Sequence, residues 1–165
     1  MDKELEQLSV QVGQALLERQ LMLACAESCT GGWVSEVVTA TSGSSQWFER
    51  GFITYSSAAK QEQLGVTADT LRQHGAVSEE TVREMAAGAL RRSHAQAALA
   101  ISGVAGPTGG SPDKPVGTVC FAWALRGGVA VSQTLHFSGD RETVRRLSVL
   151  HALRGLLRLF DISER

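Results

Sequence analysis

The chain predicts an α/β fold: a single three-layer α/β/α domain around a mixed, mostly parallel sheet of about five strands. Three observations carry that expectation. Short apolar runs alternate with segments of helical period along most of the sequence. Residues 21–26 and 96–102 are apolar almost throughout, as strands covered on both faces are. Residues 116–125 and 129–137 are joined at Arg126-Gly127-Gly128, a hairpin signal that makes the sheet mixed.

The elements follow in order. Leu5, Leu8, Val12, Ala15 and Leu16 recur on one helical face, so the first twenty residues form an amphipathic helix. A strand over 21–26 leads through a sharp turn into a helix over 32–40, and residues 41–45 are a small polar loop. Residues 48–55 read as a second strand with Gly51 as a bulge. Ser56 opens and Gly65 closes a short helix; 67–73 is another, ended by His74-Gly75. Ser78-Glu79-Glu80 caps a longer helix through about Arg92. After the third strand, residues 103–115 show neither period, and so long a connection is usually functional or disordered. Ser138-Gly139-Asp140 caps a last helix over about 141–160.

Bulk properties narrow the function classes. The 165 residues match one domain, and 16 Lys+Arg against 17 Asp+Glu leave a net charge of −1. That balance disfavours a nucleic-acid partner, which would call for a basic surface. No apolar run approaches the ~20 residues of a membrane span, and the polar, acidic N-terminus does not read as a secretory leader. Cys25, Cys29 and Cys120 are odd in number and lack CxxC spacing, so neither a disulfide framework nor a zinc site is expected. His74, His94, His136 and His151 show no metal-ligand spacing. The expectation is a cytoplasmic protein with reduced thiols and no metal.

Chemistry concentrates in three segments. If the first three strands are parallel, the loops after them open on one edge, where α/β sheets bind ligands. Ala26-Glu27-Ser28-Cys29-Thr30-Gly31-Gly32 sets two hydroxyls and a thiol beside a helix start, whose unpaired N–H groups suit an anion; its alternative is a plain capped turn. Ser28 and Cys29 are adjacent, so an extended turn sends them to opposite sides and only one faces a ligand. Glu27 reads either as a general base or as a polar partner for a backbone N–H. Lys60 sits near the start of the helix after Tyr55, where the helix dipole and burial lower a lysine pKa from about 10.4. A neutral amine there would take a proton from Ser28; the alternative is a solvated surface lysine. Arg141 and Arg145 are four apart and share a helix face. They would grip a phosphate or carboxylate, or else pair with Asp140 or Glu142, while Arg146 points to solvent. Trp33, Trp47 and Trp123 read as core or interface residues, with Trp47, at a loop–strand junction, the one of the three placed nearest a ligand or subunit contact.

Taken together, that turn, Gly51-Phe52-Ile53-Thr54-Tyr55-Ser56 with Lys60, and Ser102-Gly103-Val104-Ala105-Gly106-Pro107 with Lys114-Pro115-Val116-Gly117-Thr118 closely resemble the CinA C-terminal family in its stand-alone amidase form. The resemblance runs in order over nearly the whole chain and includes Phe137-Ser138-Gly139-Asp140-Arg141 with Arg145. It implies the three-layer fold, a homodimer, and hydrolysis of nicotinamide mononucleotide to nicotinate mononucleotide and ammonia, without a cofactor. It implies Ser28 as nucleophile, Tyr55 and Lys60 as its activating partners and Arg145 as a basic site residue. In the same reading Thr30, Gly31 and Gly32 hold either the oxyanion or the phosphate. Ser102, Gly103, Gly106, Lys114 and Gly117, with Arg141 and Arg145, hold the rest of the nucleotide. Ser57 departs from the asparagine of many relatives. The rival expectation is a non-catalytic nucleotide-binding or competence-associated interaction module.

Overall fold

Asp2 starts the chain's first helix by accepting a hydrogen bond from the Leu5 amide at 3.0 Å. In the computed structural model, which describes residues 1–165, the elements are α1 (Lys3–Glu18), β1 (Leu23–Glu27), α2 (Trp33–Thr39), β2 (Phe48–Ile53), α3 (Ser57–Leu64), α4 (Ala68–His74), α5 (Glu79–Arg91), β3 (Ala97–Gly103), β4 (Thr118–Leu125), β5 (Ala130–His136) and α6 (Arg141–Ser163). A single 3-10 turn, Ser44–Gln46, interrupts the loop before β2. No helix is long and apolar enough to cross a membrane.

The strands form one sheet in the order β2-β1-β3-β4-β5. The β1–β2 and β1–β3 pairs are parallel, and the β3–β4 and β4–β5 pairs are antiparallel. β4 alone therefore runs against the others, and the sheet is mixed as expected. The loops after β1, β2 and β3 leave from one edge.

Side-chain alternation divides the core in two. Leu23 and Cys25 of β1, Leu99 and Ile101 of β3, and Phe121 and Trp123 of β4 pack with α1, α2 and α6. The opposite face presents Ala24, Ala26, Ala98, Ala100, Ala122 and Ala124, packed with Leu64, Val82, Met85 and Ala89. That face is built mostly of alanine, so α5 lies close to the sheet, and Gly88 of α5 lets α3 lie close in turn. A methyl added at Gly88 would come within 1.9 Å of the Leu64 carbonyl oxygen.

Several expectations change in detail. The irregularity in β2 falls at Glu49, because Leu23 pairs with Phe48 and Ala24 with Arg50. Gly51 instead pairs in register with Cys25, and its missing side chain makes room for Ser35, whose Oγ would lie 2.6 Å from an added Cβ. β2 stops at Ile53, short of Tyr55. Trp47 is not at a ligand or at the surface: it is buried in the core over Gly13, where an added Cβ would meet its ring at 2.6 Å. Arg146 pairs with Asp2 at 2.7 Å and Glu4 at 2.8 Å, tying α6 to the start of the chain. His151 packs edge-on to Phe121 and Trp123, and its burial pushes its pKa down to about 4.

Gly88→Ala should lose about 1–3 kcal/mol of unfolding free energy in urea, because the clash is with backbone that cannot rotate away. A variant as stable as the native protein would contradict this packing.

Candidate active site

The turn after β1 is set by the same alternation. The Ser28 amide donates to the Ile101 carbonyl at 3.0 Å, which carries the β1–β3 ladder one residue past β1. Ser28 therefore faces the α3–α5 layer, beside Ser102 on β3, while Glu27 and Cys29 point to the other layer. Glu27 is fully buried, and its carboxylate accepts from the Thr30 hydroxyl at 2.6 Å, the Val34 amide at 2.9 Å, and the amide and hydroxyl of Ser35 at 3.0 and 2.7 Å. It thus fills the N-terminus of α2 and locks the turn. This removes the general-base alternative for Glu27 and leaves the polar-partner one. The amides of Cys29, Thr30 and Gly32 have no partner in the chain. Burial pushes the Cys29 thiol up to about 11, so it is not a thiolate at neutral pH.

Lys60 comes from the first turns of α3, which is capped by Ser56 through the Ala59 amide at 3.0 Å. It is only 1% exposed. Its Nζ lies 2.8 Å from the Thr54 carbonyl, 3.2 Å from the Tyr55 carbonyl and 2.9 Å from Ser28 Oγ. Desolvation pushes its pKa down to about 8, against a weaker opposing effect of Cys29. The three partners suit both protonation states. An ammonium donates to all three oxygens, and the Ser28 hydroxyl then donates to the Tyr55 carbonyl at 3.3 Å. A neutral amine donates to the two carbonyls and keeps its lone pair for the Ser28 O–H.

Ser28 and Lys60 open onto a cavity of about 310 Å³, lined also by Tyr55, Ala76, Val77, Ser102 and the loop from Gly103 to Gly110. Arg141, at the start of α6, closes one wall, donating to the Gly106 carbonyl at 2.8 Å and the Tyr55 hydroxyl at 3.1 Å. Arg141 also lines an adjoining open depression of about 440 Å³ with Trp33, Glu142 and Arg145. Arg145 donates to the Cys29 carbonyl at 3.0 Å and the Thr30 carbonyl at 3.2 Å, and its guanidinium lies over the Trp33 ring at 5.4 Å. A larger depression of about 570 Å³, between α5 and β4–β5, has neither Ser28 nor Lys60 in its walls.

The same arrangement of strands and loops occurs in known proteins. The model of the CinA C-terminal domain matches residues 5–160. The chain belongs to the CinA C-terminal domain family. Nicotinamide-nucleotide amidohydrolase PncC of Escherichia coli K12 is 56% identical over 159 residues, 96% of each chain. The protein of that name from Pseudomonas putida is 51% identical, over 92% of this chain and 94% of its own. A crystal structure of the competence/damage inducible protein CihA from Agrobacterium tumefaciens superposes with a TM-score of 0.94 at 40% identity, covering 96% of this chain and 97% of the other.

Within this CinA domain the expected site residues fall into three groups. Ser28, Lys60, Tyr55, Ser102, Gly103, Gly106 and Arg141 surround one cavity. Tyr55 is 60% exposed and turns its hydroxyl to Arg141; only its carbonyl meets Lys60. Thr30, Gly31 and Gly32 form the turn itself, and the Thr30 hydroxyl is spent on Glu27. Arg145 grips the outside of that turn. Lys114 and Gly117 lie away from the cavity. The Lys114 ammonium donates to the His74 carbonyl at the end of α4. Gly117 donates to Val104 at 2.7 Å and accepts from Phe137 at 2.8 Å, and an added Cβ would sit 2.0 Å from the Phe137 oxygen. Two parts of the site carry little signal in the sequence: the Thr54 carbonyl, which is backbone, and Ala76 and Val77 between α4 and α5, marked only by the His74-Gly75 break.

Because Lys60 titrates near 8 when folded and near 10.5 when unfolded, the unfolded chain binds more protons across that window, and native stability rises with pH there. The unfolding free energy of Lys60→Met minus that of the native protein should fall by on the order of 3 kcal/mol between pH 8 and 10.5. A pH-independent difference in paired urea titrations would show that the amine is not desolvated.

Proposed function

We propose that this CinA domain deamidates nicotinamide mononucleotide, releasing nicotinate mononucleotide and ammonia, by acyl transfer through Ser28. The observation that carries the reading is the contact at 2.9 Å between the Lys60 nitrogen and Ser28 Oγ, with the lysine held by two carbonyls on its other side. With a pKa of about 8, roughly a tenth of Lys60 is neutral at pH 7. That fraction takes the Ser28 proton as Oγ bonds to the carboxamide carbon. The resulting ammonium then protonates the nitrogen as the C–N bond breaks and ammonia leaves. Water attacks the acyl-serine next, with Lys60 again accepting the proton; the C–Oγ bond then breaks, Lys60 returns that proton to Ser28 Oγ, and the carboxylate product departs.

The rest of the edge serves the reaction by position. The amides of Cys29, Thr30 and Gly32, in the turn that follows the nucleophile, have no partner in the chain and are available to a developing oxyanion. Arg141, reaching both the cavity and the depression beside it, suits the phosphate. Arg145 acts from outside by holding the turn's carbonyls. Cytoplasmic action and a homodimer belong to the same proposal; three free cysteines accord with a reducing compartment, and sedimentation equilibrium tests the dimer.

Ammonia release from nicotinamide mononucleotide should fall on the order of 10³-fold or more in Ser28→Ala and in Lys60→Ala, with folding retained. Cys29→Ser should stay within a few-fold of native. The native kcat/KM should climb with pH to a plateau, with a midpoint near 8. Full turnover in both dyad variants defeats the mechanism, and tight nucleotide binding without turnover in the native protein favours the interaction-module reading.

A further inference from the structure

One buried polar side chain in the cavity wall is engaged by nothing in the chain. Ser102 is 2% exposed, lines the cavity, and makes no hydrogen bond within the protein. The residues before it on the same face of β3 are Ala98 and Ala100, packed under α5. An alanine at 102 would continue that surface, whereas the serine places an oxygen on the cavity wall that no group of the chain engages. The hydroxyl of Ser102 is therefore free to donate to a molecule that enters the cavity.

Strand order says what it meets. β1 lies between β2 and β3. Lys60 is held by the carbonyls that follow β2, so it approaches Ser28 from that side. Ser102 stands on β3, on the other side of Ser28, one strand spacing of about 4.8 Å away. The Ser28 amide donating to Ile101 at 3.0 Å sets this pairing, and parallel partners point to one face. An acyl carbon bound to Ser28 thus has a proton acceptor on one flank and a free hydroxyl on the other.

The geometry points to the Ser102 hydroxyl as a catalytic hydrogen-bond donor to the oxygen of the carboxamide under attack at Ser28. This role rests on the deamidation reading above. As the Oγ–C bond forms, the carbonyl π pair moves onto oxygen and the Ser28 proton passes to Lys60. Ser102 keeps its own proton and tightens its hydrogen bond as charge grows on that oxygen. When the carbonyl reforms, the C–N bond breaks, and the nitrogen takes its proton from Lys60. A donor that strengthens with developing charge acts on kcat more than on KM.

Two full-length variants test it: Ser102→Ala, and Ser102→Cys, which nearly keeps the volume but donates weakly. Both should lose on the order of 10²-fold in kcat toward nicotinamide mononucleotide with KM within about two-fold. The melting temperature of Ser102→Ala should match the native one, whereas a structural role for the hydroxyl predicts a lower one. Native kcat in Ser102→Ala overturns the assignment, as does a loss confined to KM or one that tracks a lowered melting temperature in both variants. If the native protein releases no ammonia from this substrate, the deamidation reading itself fails and takes the Ser102 role with it. An active native protein with an equally active Ser102→Ala sinks the Ser102 role alone.

Discussion

A lysine nitrogen taken out of water needs oxygens around it, and the substrate-facing edge of this protein is organised by that demand. The carbonyls of Thr54 and Tyr55 turn out of β2 toward Lys60 instead of continuing the ladder. The third oxygen belongs to Ser28. Since desolvation favours the uncharged amine, the same burial that costs stability prepares a base next to a hydroxyl. The two carbonyls also fix direction: once they take the two N–H groups, the lone pair has only Ser28 to face.

Keeping Ser28 in place falls to groups on the far side of the sheet. Alternation sends Glu27 and Cys29 into the α2 layer while Ser28 faces α3. There the Glu27 carboxylate takes the orphan donors of α2 and the Thr30 hydroxyl, which leaves no slack in the turn. Gly51 has no side chain because Ser35, one of those donors, occupies its space. Arg145 adds two hydrogen bonds to the turn's carbonyls. A buried carboxylate with four donors and a stacked guanidinium thus hold a nucleophile that neither of them touches.

Reach across the edge comes from α6. Arg141 ties the Gly106 carbonyl to the Tyr55 hydroxyl, joining the loops after β3 and β2 at the cavity wall. The alanine face under α5 lets α3 sit low enough for Lys60 to extend to the strand end, and Gly88 makes that closeness possible. Core packing and site geometry are therefore one constraint.

The elements, their order and the hairpin were legible in the sequence, because apolar period, cap residues and glycines are local signals and the structure places helices and strands close to where they fall. So was the turn around Ser28, whose residue types announce it, and the opposite pointing of Ser28 and Cys29 follows from chain geometry alone. Tertiary structure decided the partners. Whether Glu27 was a base or a cap depended on where α2 begins relative to it. Lys114 looked like a ligand residue in a glycine-rich loop, yet its ammonium ends at a helix terminus. Trp47 read as core or interface, and Gly13 on a distant helix, which leaves it room, decides for the core. Local patterns set what each segment becomes. Which side chains then meet depends on strand order, layer and close approach between segments far apart in the chain, and no residue carries that information by itself.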